Sequence, residues 1–426
     1  MLVTIALPAS KSESNRALML EALAHFQAGQ TQNTSRVQNL SSARDTQIMY
    51  SLLHTQSKES NVHDAGTVMR FLVAYFAVTN RTQYLYGTER MHQRPIGVLV
   101  DALNSLGFEV HYTNKIGYPP VRVQAISPKR YAQIKHEVAV RGDVSSQYIS
   151  ALLMIAPLLP KGLVINLLGE VISQPYIAMT IQQMQYFGVQ TLQRGNLLQV
   201  APQRYQVVTF HVEADWSAAS YWYSFLAILA WKKQFLGLKI KLVGLKSNSL
   251  QGDSVIKEVM QKWGIFTTFD NQGALLSFHP SQCTPPKLVL HCTHCPDLVQ
   301  TFAVCAALLQ TDAEFSGIES LRIKETDRII ALQNELAKIG VSLKERNSKW
   351  YLDTQNLQLP KTIFIQTYQD HRMAMAFAVL GVFCDLEVEQ PQVVSKSYPH
   401  FWADVQLLFS TLQLPLPSFL RHYGHE

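Results

Sequence analysis

Four predicted helix ends in this sequence are followed by a glycine and a strand-like run, at a nearly constant spacing along the chain. The glycines are Gly107, Gly188, Gly264 and Gly340, separated by 81, 76 and 76 residues. Glycine directly after a helix adopts the left-handed conformation that ends it, so each position predicts a helix stop before a strand. A period near 76 fits into 426 residues between five and six times, which predicts a chain of repeated α/β units.

A second series of apolar segments has a similar period. Helices are predicted to begin near six polar residues: Ser14, Thr67, Ser145, Ser217, Asp297 and His371. Most steps between them are 72 to 80 residues, and the first is 53. These segments are apolar on nearly every side, and a helix of that kind is buried all round. Each repeat is therefore expected to contain one buried helix, one amphipathic helix and a few strands.

The charge balance limits the class of partner. Lysine and arginine number 37 against 31 acidic residues, for a net charge of +6, yet only 16% of residues are charged and 47% are hydrophobic. This composition excludes intrinsic disorder. The longest basic run is the pair Lys232 and Lys233, which argues against a nucleic-acid partner.

Targeting and membrane signals are weak. Residues 1–10 resemble neither a signal peptide nor a transit peptide. The apolar stretch 148–168 is broken by two prolines, and 222–231 is far shorter than the ~20 residues that cross a bilayer. Five cysteines do not suggest a disulfide framework. We expect a cytoplasmic protein without a membrane partner.

Polar residues gather where the buried helices are predicted to begin, at 10–16, 64–70, 142–147, 296–297 and 370–372. A helix N-terminus offers unpaired N–H groups and a partial positive charge, and so attracts anions. Helix capping explains Ser, Thr and Asp at such positions, but it does not require the cations Lys11, Arg16 and Arg372. Further cations lie close by, namely Arg94, Lys324, Arg328 and Lys396. The pattern predicts a site for small, multiply anionic ligands.

The sequence lacks the motifs that indicate nucleotide binding, a nucleophilic serine or a zinc site. The sequence has no Walker A loop, no dinucleotide-binding Gly-x-Gly-x-x-Gly and no Gly-x-Ser-x-Gly nucleophile elbow. Residues 291–295 (His-Cys-Thr-His-Cys) have ligand-like spacing, but a zinc site needs a second half and no second cysteine pair follows. Nucleotide and metal binding are therefore not expected.

Ten short motifs occur in a characteristic order over almost the whole chain. They are Lys-Ser-x-Ser-Asn-Arg at 11–16, Ala-Gly-Thr-x-x-Arg at 65–70, Arg-Pro-Ile-Gly at 94–97, Gly-Asp-x-Ser-Ser-Gln at 142–147, Ser-Gln-Pro-Tyr at 173–176, the segment 215–221, Pro-Asp at 296–297, the charged segment 322–328, Asp-His-Arg-Met-Ala-Met at 370–375, and Lys396. Each is short, but the ordered set resembles the enolpyruvyl transferase family, and within it the members that act on shikimate 3-phosphate.

The resemblance implies an α/β (α+β) fold of two similar domains, each of three βαβαββ units with buried parallel helices, arranged like an inside-out α/β barrel. One domain is expected at 11–213 and the other at 1–10 plus 214–426, with the active site in the cleft between them. Six units agree with the repeat count.

The resemblance also implies a reaction. The enolpyruvyl group of phosphoenolpyruvate is transferred to the 5-hydroxyl of shikimate 3-phosphate, through a tetrahedral intermediate by addition and elimination, and phosphate is released. This step of the shikimate pathway leads toward chorismate and the aromatic amino acids. The implied partners are these two substrates, with no metal or organic cofactor, and the chain is expected to act as a monomer.

Site residues follow from the motif positions. The resemblance implies that Asp297 is the base at the hydroxyl, Glu325 the proton donor at the methylene carbon, Lys11 a shared cation and acid, and His371 a participant in proton transfer. The residues expected to hold phosphoenolpyruvate are Lys11, Gly66, Arg94, Gln147, Arg328, Arg372 and Lys396. Those expected to hold shikimate 3-phosphate are Ser12, Arg16, Ser145, Ser146, Gln147, Ser173, Tyr176, Asp297 and Lys324.

Two positions depart from the family pattern, and a third residue important for inhibition agrees with it. Asp64 replaces the usual Asn and adds negative charge near an anion site, which lowers the expected affinity for phosphoenolpyruvate. Ser320 stands where some members have an Asn that contacts substrate. Gly66, where the family leaves room for the phosphonate inhibitor glyphosate, is present, so inhibition by glyphosate is expected.

Three alternative functions fit the sequence less well. The sister enzyme that acts on UDP-N-acetylglucosamine has Lys-Asn near its N-terminus and a reactive Cys in its N-terminal domain, whereas this chain has Lys11-Ser12 and no cysteine before position 283. A catalytically inactive protein that binds phosphorylated carboxylates would not need Asp297 and Glu325. An RNA 3′-phosphate cyclase would need a nucleotide site and a nucleophilic His.

Overall fold

The chain forms two compact units. A computed structural model describes residues 1–30, 35–143, 145–172, 174–280 and 285–422. The first unit is Ser10–Val212, and the second is Met1–Ala9 together with Glu213–Glu426. No helix among the described residues combines the length and apolarity that a membrane span requires.

Strands and helices alternate along the chain. The strands are β1 (Leu2–Ala6), β2 (Val37–Gln38), β3 (Glu59–Asn61), β4 (Gln83–Tyr86), β5 (Glu109–Tyr112), β6 (Val121–Gln124), β7 (Glu137–Arg141), β8 (Leu163–Leu168), β9 (Leu192–Arg194), β10 (Leu197–Val200), β11 (Phe210–His211), β12 (Lys239–Val243), β13 (Ile265–Asp270), β14 (Gly273–Phe278), β15 (Leu288–His291), β16 (Ala313–Ser316), β17 (Ser342–Arg346), β18 (Lys349–Asp353), β19 (Thr362–Ile365) and β20 (Asp385–Val388). The helices are α1 (Lys11–Ala28), α2 (Arg44–Leu53), α3 (Gly66–Val78), α4 (Glu89–His92), α5 (Gly97–Leu106), α6 (Pro128–Tyr131), α7 (Ser146–Ile155), α8 (Gln174–Tyr186), α9 (Trp216–Lys233), α10 (Ile256–Gln261), α11 (Val299–Leu309), α12 (Arg328–Ala337), α13 (His371–Phe377), α14 (Phe401–Thr411) and α15 (Ser418–His422).

Four sheets share one topology, in which a parallel pair of strands continues into an antiparallel pair. The orders are β3-β4-β6-β5 and β7-β8-β10-β9 in the first unit, and β1-β12-β14-β13 and β15-β16-β18-β17 in the second. In three of these sheets a buried helix connects the parallel strands, whereas in the β1 sheet the first unit is inserted between β1 and the buried helix α9. In each sheet a second helix precedes the antiparallel pair. The predicted βαβαββ unit is therefore present four times in full.

Two further sheets contain only a parallel pair, β11-β2 in the first unit and β19-β20 in the second. In the first of these, Phe210 pairs with Val37, far away along the chain. Similarly, Leu2 pairs with Lys239 and places β1 in the second unit. The chain thus enters the first unit after β1 and leaves it after β11. Among the described residues every sheet stays open, and none closes into a barrel.

Three buried helices form the core of each unit. In the first unit α1, α3 and α7 contact one another, and in the second α11 contacts both α9 and α13. Nearly every residue of α3, α9 and α11 is buried, as their all-round apolar sequences predict. Observed starts lie within two residues of the predictions except for α1, which begins at Lys11 rather than near Ser14 because Ser10 caps it.

The four glycines behave as helix terminators. Gly107, Gly188, Gly264 and Gly340 have φ angles of 115°, 88°, 80° and 74°, the left-handed region that glycine enters without a steric penalty. Each follows an amphipathic helix (α5, α8, α10 or α12) and precedes the next strand. The prediction of four helix–glycine–strand junctions is confirmed.

Candidate active site

A buried arginine at the start of α12 organises the charged residues of the second unit. Asp327 caps this helix by accepting hydrogen bonds from two backbone N–H groups, so the first helical residue, Arg328, is directed into the protein, where it is 1% exposed. Its Nε lies 2.6 Å from Oδ2 of Asp370, its Nη1 2.9 Å from Oδ1 of Asp297, and its Nη2 2.8 Å from Oε2 of Glu325. Burial disfavours its charge, but the carboxylates, Asp370 first, raise the pKa of the Arg328 guanidinium above its ordinary value.

Three cationic side chains lie close to the carboxylate of Asp297. This residue lies in the helical turn Pro296–Leu298 that leads into α11. Besides Arg328, its carboxylate oxygens lie 3.0 Å from Nη2 of Arg372 and 3.6 Å from Nζ of Lys324. Burial alone would oppose its ionisation, but these cations outweigh burial and lower the pKa of the Asp297 carboxyl below its usual range, with Arg372 the strongest. The carboxylate is therefore charged at neutral pH, the form that can accept a proton.

Glu325 lies between a helical turn, Glu319–Ile323, and α12. Its side chain is 13% exposed and shares the guanidinium of Arg328 with Asp297. One rigid cation thus fixes two carboxyl groups next to each other, the arrangement that an acid–base pair needs.

The N-terminus of α13 and the turn packed against this helix add three further charged or titratable side chains. Asp370 caps it by accepting from the backbone N–H of Arg372 at 2.9 Å. His371 is buried, and its Nδ1 lies 3.7 Å from Oδ1 of Asp370. Lys396, also buried, ends the turn Pro391–Lys396, which packs against α13.

In the first unit, the starts of α3 and α7 and the loop before α5 come together. Arg94 is buried and donates to the backbone carbonyl of Asp64 at 3.1 Å. Arg70 lies over the ring of Tyr148, 5.3 Å from its centroid. A Cβ atom at Gly66 would lie 2.5 Å from Nη1 of Arg70 and 2.7 Å from Cζ of Arg94. The absence of a side chain at this glycine therefore lets two guanidinium groups approach the helix end.

The start of α7 joins this cluster. Ser145 caps the helix, as capping predicts, and its Oγ accepts from the N–H of Gln147 at 3.4 Å. The amide of Gln147 donates to Oγ1 of Thr67 at 2.8 Å, at the start of α3. Ser146 is buried in the first turn. Ser173, which the resemblance assigned to shikimate 3-phosphate, lies outside the described residues.

Two further predicted residues lie in the first turns of α1. Lys11 donates from Nζ to Oδ2 of Asp45 at 3.1 Å, and the lysine side chain is 17% exposed. Arg16 is buried, and its guanidinium binds Oγ1 of Thr180 at 2.7 Å and the carbonyl of Ser12 at 2.9 Å. The ring of Tyr176 lies 5.8 Å from it. Burial lowers the pKa of Arg16 to about 10.

The structure thus brings most of the predicted residues into three groups. Asp297, Lys324, Glu325, Arg328 and Arg372 form one ion-pair network. Gly66, Arg94 and Gln147 cluster at the starts of α3 and α7. Ser12, Arg16 and Tyr176 form the third group, and Lys11 is held separately by Asp45.

Sequence reasoning missed several partners of these residues. Asp45 pairs with Lys11, Thr180 binds Arg16, and Asp253 binds the hydroxyl of Ser217 next to Arg372. An acid in the first turn of α2 gives no signal beyond a helix cap, and Asp253 follows no periodic pattern. A polar residue on the buried face of an amphipathic helix, such as Thr180 on α8, was the one available signal.

The His-Cys segment before Asp297 gives no metal centre. Cys292 and Cys295 are free buried thiols, and His291 hydrogen-bonds to Ser316 and Thr293. Across the described part of the chain, no group of three or more His, Cys, Asp and Glu side chains is placed to hold a metal ion.

Comparison with known proteins gives consistent similarities. A family model described as EPSP synthase (3-phosphoshikimate 1-carboxyvinyltransferase) matches residues 54–405. A 3-phosphoshikimate 1-carboxyvinyltransferase from Bacteroides fragilis is 42% identical over 408 residues, covering 95% of this chain and 94% of that protein. One from Herminiimonas arsenicoxydans is 35% identical over 441 residues and covers 93% of each.

A solved structure has a similar fold. The EPSP synthase from Acinetobacter baumannii superposes with a TM-score of 0.74, at 17% identity and with 95% of each chain covered. This likeness confirms the predicted α/β fold class.

Proposed function

The chain belongs to the family of EPSP synthases, the 3-phosphoshikimate 1-carboxyvinyltransferases, and we propose that the side chains described above perform that family's reaction. The chain is a transferase of the shikimate pathway, toward the aromatic amino acids, and moves the enolpyruvyl group of phosphoenolpyruvate onto shikimate 3-phosphate. The description of the matching family model and the names of the similar relatives are those of the predicted enzyme. The residue roles and the location of the active site between domains stay predictions.

In the proposed addition step, Asp297 takes the proton of the 5-hydroxyl of shikimate 3-phosphate. The hydroxyl oxygen bonds to C2 of phosphoenolpyruvate while Glu325 protonates C3, which gives a tetrahedral intermediate. Elimination removes the C3 proton and breaks the bond between C2 and the bridging oxygen, so that phosphate leaves. The observation that supports these roles most is that one buried guanidinium, Arg328, binds both carboxyl groups.

Cations neutralise the charge that the two substrates bring. We assign Arg94, Arg328, Arg372 and Lys396 to phosphoenolpyruvate, with Lys11, Gly66 and Gln147. We assign Ser12, Arg16, Ser145, Ser146, Gln147, Ser173, Tyr176, Asp297 and Lys324 to shikimate 3-phosphate. Arginine forks match carboxylate and phosphate oxygens in pairs. His371 is assigned to proton transfer. Fixed cations of this kind also stabilise the charge that develops in the transition state.

Replacing Gly66 by alanine is expected to raise the KM for phosphoenolpyruvate about tenfold, equivalent to ~1.4 kcal/mol. The added Cβ would meet Arg70 and Arg94 at 2.5 to 2.7 Å, so at least one guanidinium must move. The same displacement is expected to weaken inhibition by glyphosate. Steady-state kinetics with each substrate varied would measure both effects.

Gly237→Ala is the matched control for Gly66→Ala, because no atom lies within 4 Å of a Cβ built there. It should leave both KM values unchanged. An unaltered KM for phosphoenolpyruvate in Gly66→Ala would remove this glycine from the binding site.

The proposed function is tested by phosphate release from phosphoenolpyruvate. Release is expected with shikimate 3-phosphate, and neither with UDP-N-acetylglucosamine nor without an acceptor. Phosphate release at the same rate with and without shikimate 3-phosphate would contradict the proposal. Release that requires the nucleotide sugar would contradict it as well. Binding of both substrates without turnover would favour an inactive phospho-carboxylate-binding protein.

We also propose that the protein acts as a monomer in the cytoplasm. The four described cysteines are free thiols, which suits a reducing compartment. Sedimentation equilibrium is expected to give the mass of a single chain, 48.1 kDa. A stable dimer at assay concentration would contradict the monomer.

A further inference from the structure

A further buried carboxyl group, Asp253, lies near the cations of the second unit. Asp253 is on the helical turn Gly252–Val255 before α10 and is 4% exposed. Its Oδ2 accepts a hydrogen bond from Oγ of Ser217, in the first turn of α9. Its Oδ1 is buried and has no hydrogen-bond partner among the residues that the structure describes. Neither the resemblance nor the comparisons give this residue a role.

Ser217 connects Asp253 to the arginine that binds Asp297. Nη2 of Arg372 lies 3.2 Å from Oγ of Ser217 and 3.0 Å from Oδ2 of Asp297, and its Nη1 donates to the backbone carbonyl of Asp297 at 3.2 Å. The Nη2 atom of the guanidinium therefore contacts both the Asp297 carboxylate and the serine hydroxyl. Because the serine donates its proton to Asp253, its oxygen lone pairs are directed to Arg372.

The charged and titratable groups that act on Asp253 come from several elements. They are Asp297 and Cys295 before α11, Arg372 on α13 and Asp215 before α9. Lys257, four residues further on, binds the carbonyl of Ser247 at 3.1 Å. Burial, with repulsion from Asp297, outweighs the attraction of Arg372 and raises the pKa of Asp253 to about 7.

We propose that Asp253 is a positioning residue of the reaction, which holds Arg372 beside Asp297 through the hydroxyl of Ser217 and adjusts the positive charge that Arg372 offers to phosphoenolpyruvate. This role rests on the proposed function, in which Arg372 binds that substrate. A neutral Asp253 adds no negative charge near Arg372. An ionised Asp253 adds one, which weakens the attraction of Arg372 for an anion.

The test is the KM for phosphoenolpyruvate between pH 6 and pH 8. Asp253→Asn retains a hydrogen-bond acceptor for Ser217 but stays neutral throughout this range. At pH 6 the variant and the wild type are expected to have similar KM values. At pH 8 the wild-type KM is expected to be about tenfold higher than that of the variant, a difference of ~1.4 kcal/mol. Ionisation of the substrate itself cancels in this ratio.

Two further variants separate positioning from charge. Ser217→Ala removes the bridge and is expected to raise the KM for phosphoenolpyruvate at both pH values, whereas Ser217→Thr retains the hydroxyl and should restore it. Asp312→Asn is the control, because the side chain of Asp312 accepts hydrogen bonds from Thr354 at 3.2 to 3.3 Å, and it should follow the wild-type profile.

Melting curves give a readout that does not depend on activity. An acid whose pKa is raised in the folded protein costs stability progressively between its unfolded pKa of about 4 and its folded pKa of about 7. The thermal stability that Asp253→Asn gains over the wild type should therefore grow as the pH rises from 4 to 7 and level off by pH 8. An active enzyme whose Asp253→Asn and Ser217→Ala forms keep the wild-type pH profile and KM would overturn the role of Asp253 alone. Wild-type protein that releases no phosphate with shikimate 3-phosphate would overturn the proposed function and this role together.

Discussion

Asp297→Asn is expected to lower kcat by about 10²–10⁴-fold, the range that a positioned general base contributes, while shikimate 3-phosphate still binds. Asparagine retains the shape of the side chain and one acceptor for Arg328 and Arg372, which contact Asp297 at 2.9 and 3.0 Å. It cannot accept the proton of the 5-hydroxyl. Single-turnover phosphate release measures the chemical step, and titration calorimetry measures binding.

Asp353→Asn is the matched control for Asp297→Asn, because its carboxylate lies at the end of β18 and accepts from the backbone N–H of Gln355. Its kcat should equal that of the wild type. A fully active Asp297→Asn would remove Asp297 from the mechanism, and a variant that loses binding as well would make it a ligand-binding residue only.

Arg328→Met is expected to destabilise the protein by about 3–5 kcal/mol, the usual effect of removing one partner of a buried ion pair. The change leaves Asp370, Asp297 and Glu325 in the interior without the cation that binds all three. Chemical denaturation followed by circular dichroism measures the free energy of unfolding.

The control for Arg328→Met is Arg322→Gln. The Arg322 side chain is 42% exposed and pairs with Asp327 and Glu345, and exposed pairs contribute about 0–1 kcal/mol. Equal effects of the two substitutions would contradict the central position of Arg328.

The pH dependence of the Arg328→Met deficit has a defined sign. Because Arg372, Lys324 and Arg328 lower the pKa of Asp297 in the folded protein, its ionisation stabilises the fold above the unfolded pKa of about 4 and less so as the pH falls further. Part of this stabilisation is lost in Arg328→Met. The difference in unfolding free energy between wild type and variant should therefore be largest near neutral pH and shrink in acid.

The repeat was predictable because its signals are local. A helix ended by glycine, as at Gly264, and a segment apolar on every side, as in α11, each leave a pattern within a few residues. The first repeat, whose described sheet is only the parallel pair β11-β2, lacks such a glycine after Leu53. The start of α1 was predicted three residues too late. Residues 10–16 are polar throughout, so the sequence does not distinguish Ser10 as the helix cap.

The grouping of the predicted site residues followed from the sequence only in part. The ordered motifs selected Asp297, Glu325 and Arg328, which the structure places in one ion-pair network, but their mutual contacts depend on the fold. Lys11 and its partner Asp45 are 34 residues apart, and Arg16 and Thr180 are 164 apart. No local pattern connects such pairs, since tertiary packing alone brings them together.

Helix capping accounts for only part of the role of Asp370. The side chain of Asp370 accepts from the backbone of α13, as its position predicts, and it also binds the buried guanidinium of Arg328 at 2.6 Å. One carboxylate therefore both starts a helix and stabilises the ion-pair network, and only the structure distinguishes this from a simple cap.

The most direct test of the proposed reaction uses phosphoenolpyruvate labelled with ¹⁸O at the oxygen that bridges C2 and phosphorus. Addition to C2 followed by elimination breaks the carbon–oxygen bond, so mass spectrometry is expected to find the label in the released phosphate. The enolpyruvyl carbons should appear on shikimate 3-phosphate in equal amount. Label retained in pyruvate, with shikimate 3-phosphate unchanged, would mean hydrolysis at phosphorus and would contradict enolpyruvyl transfer by this protein.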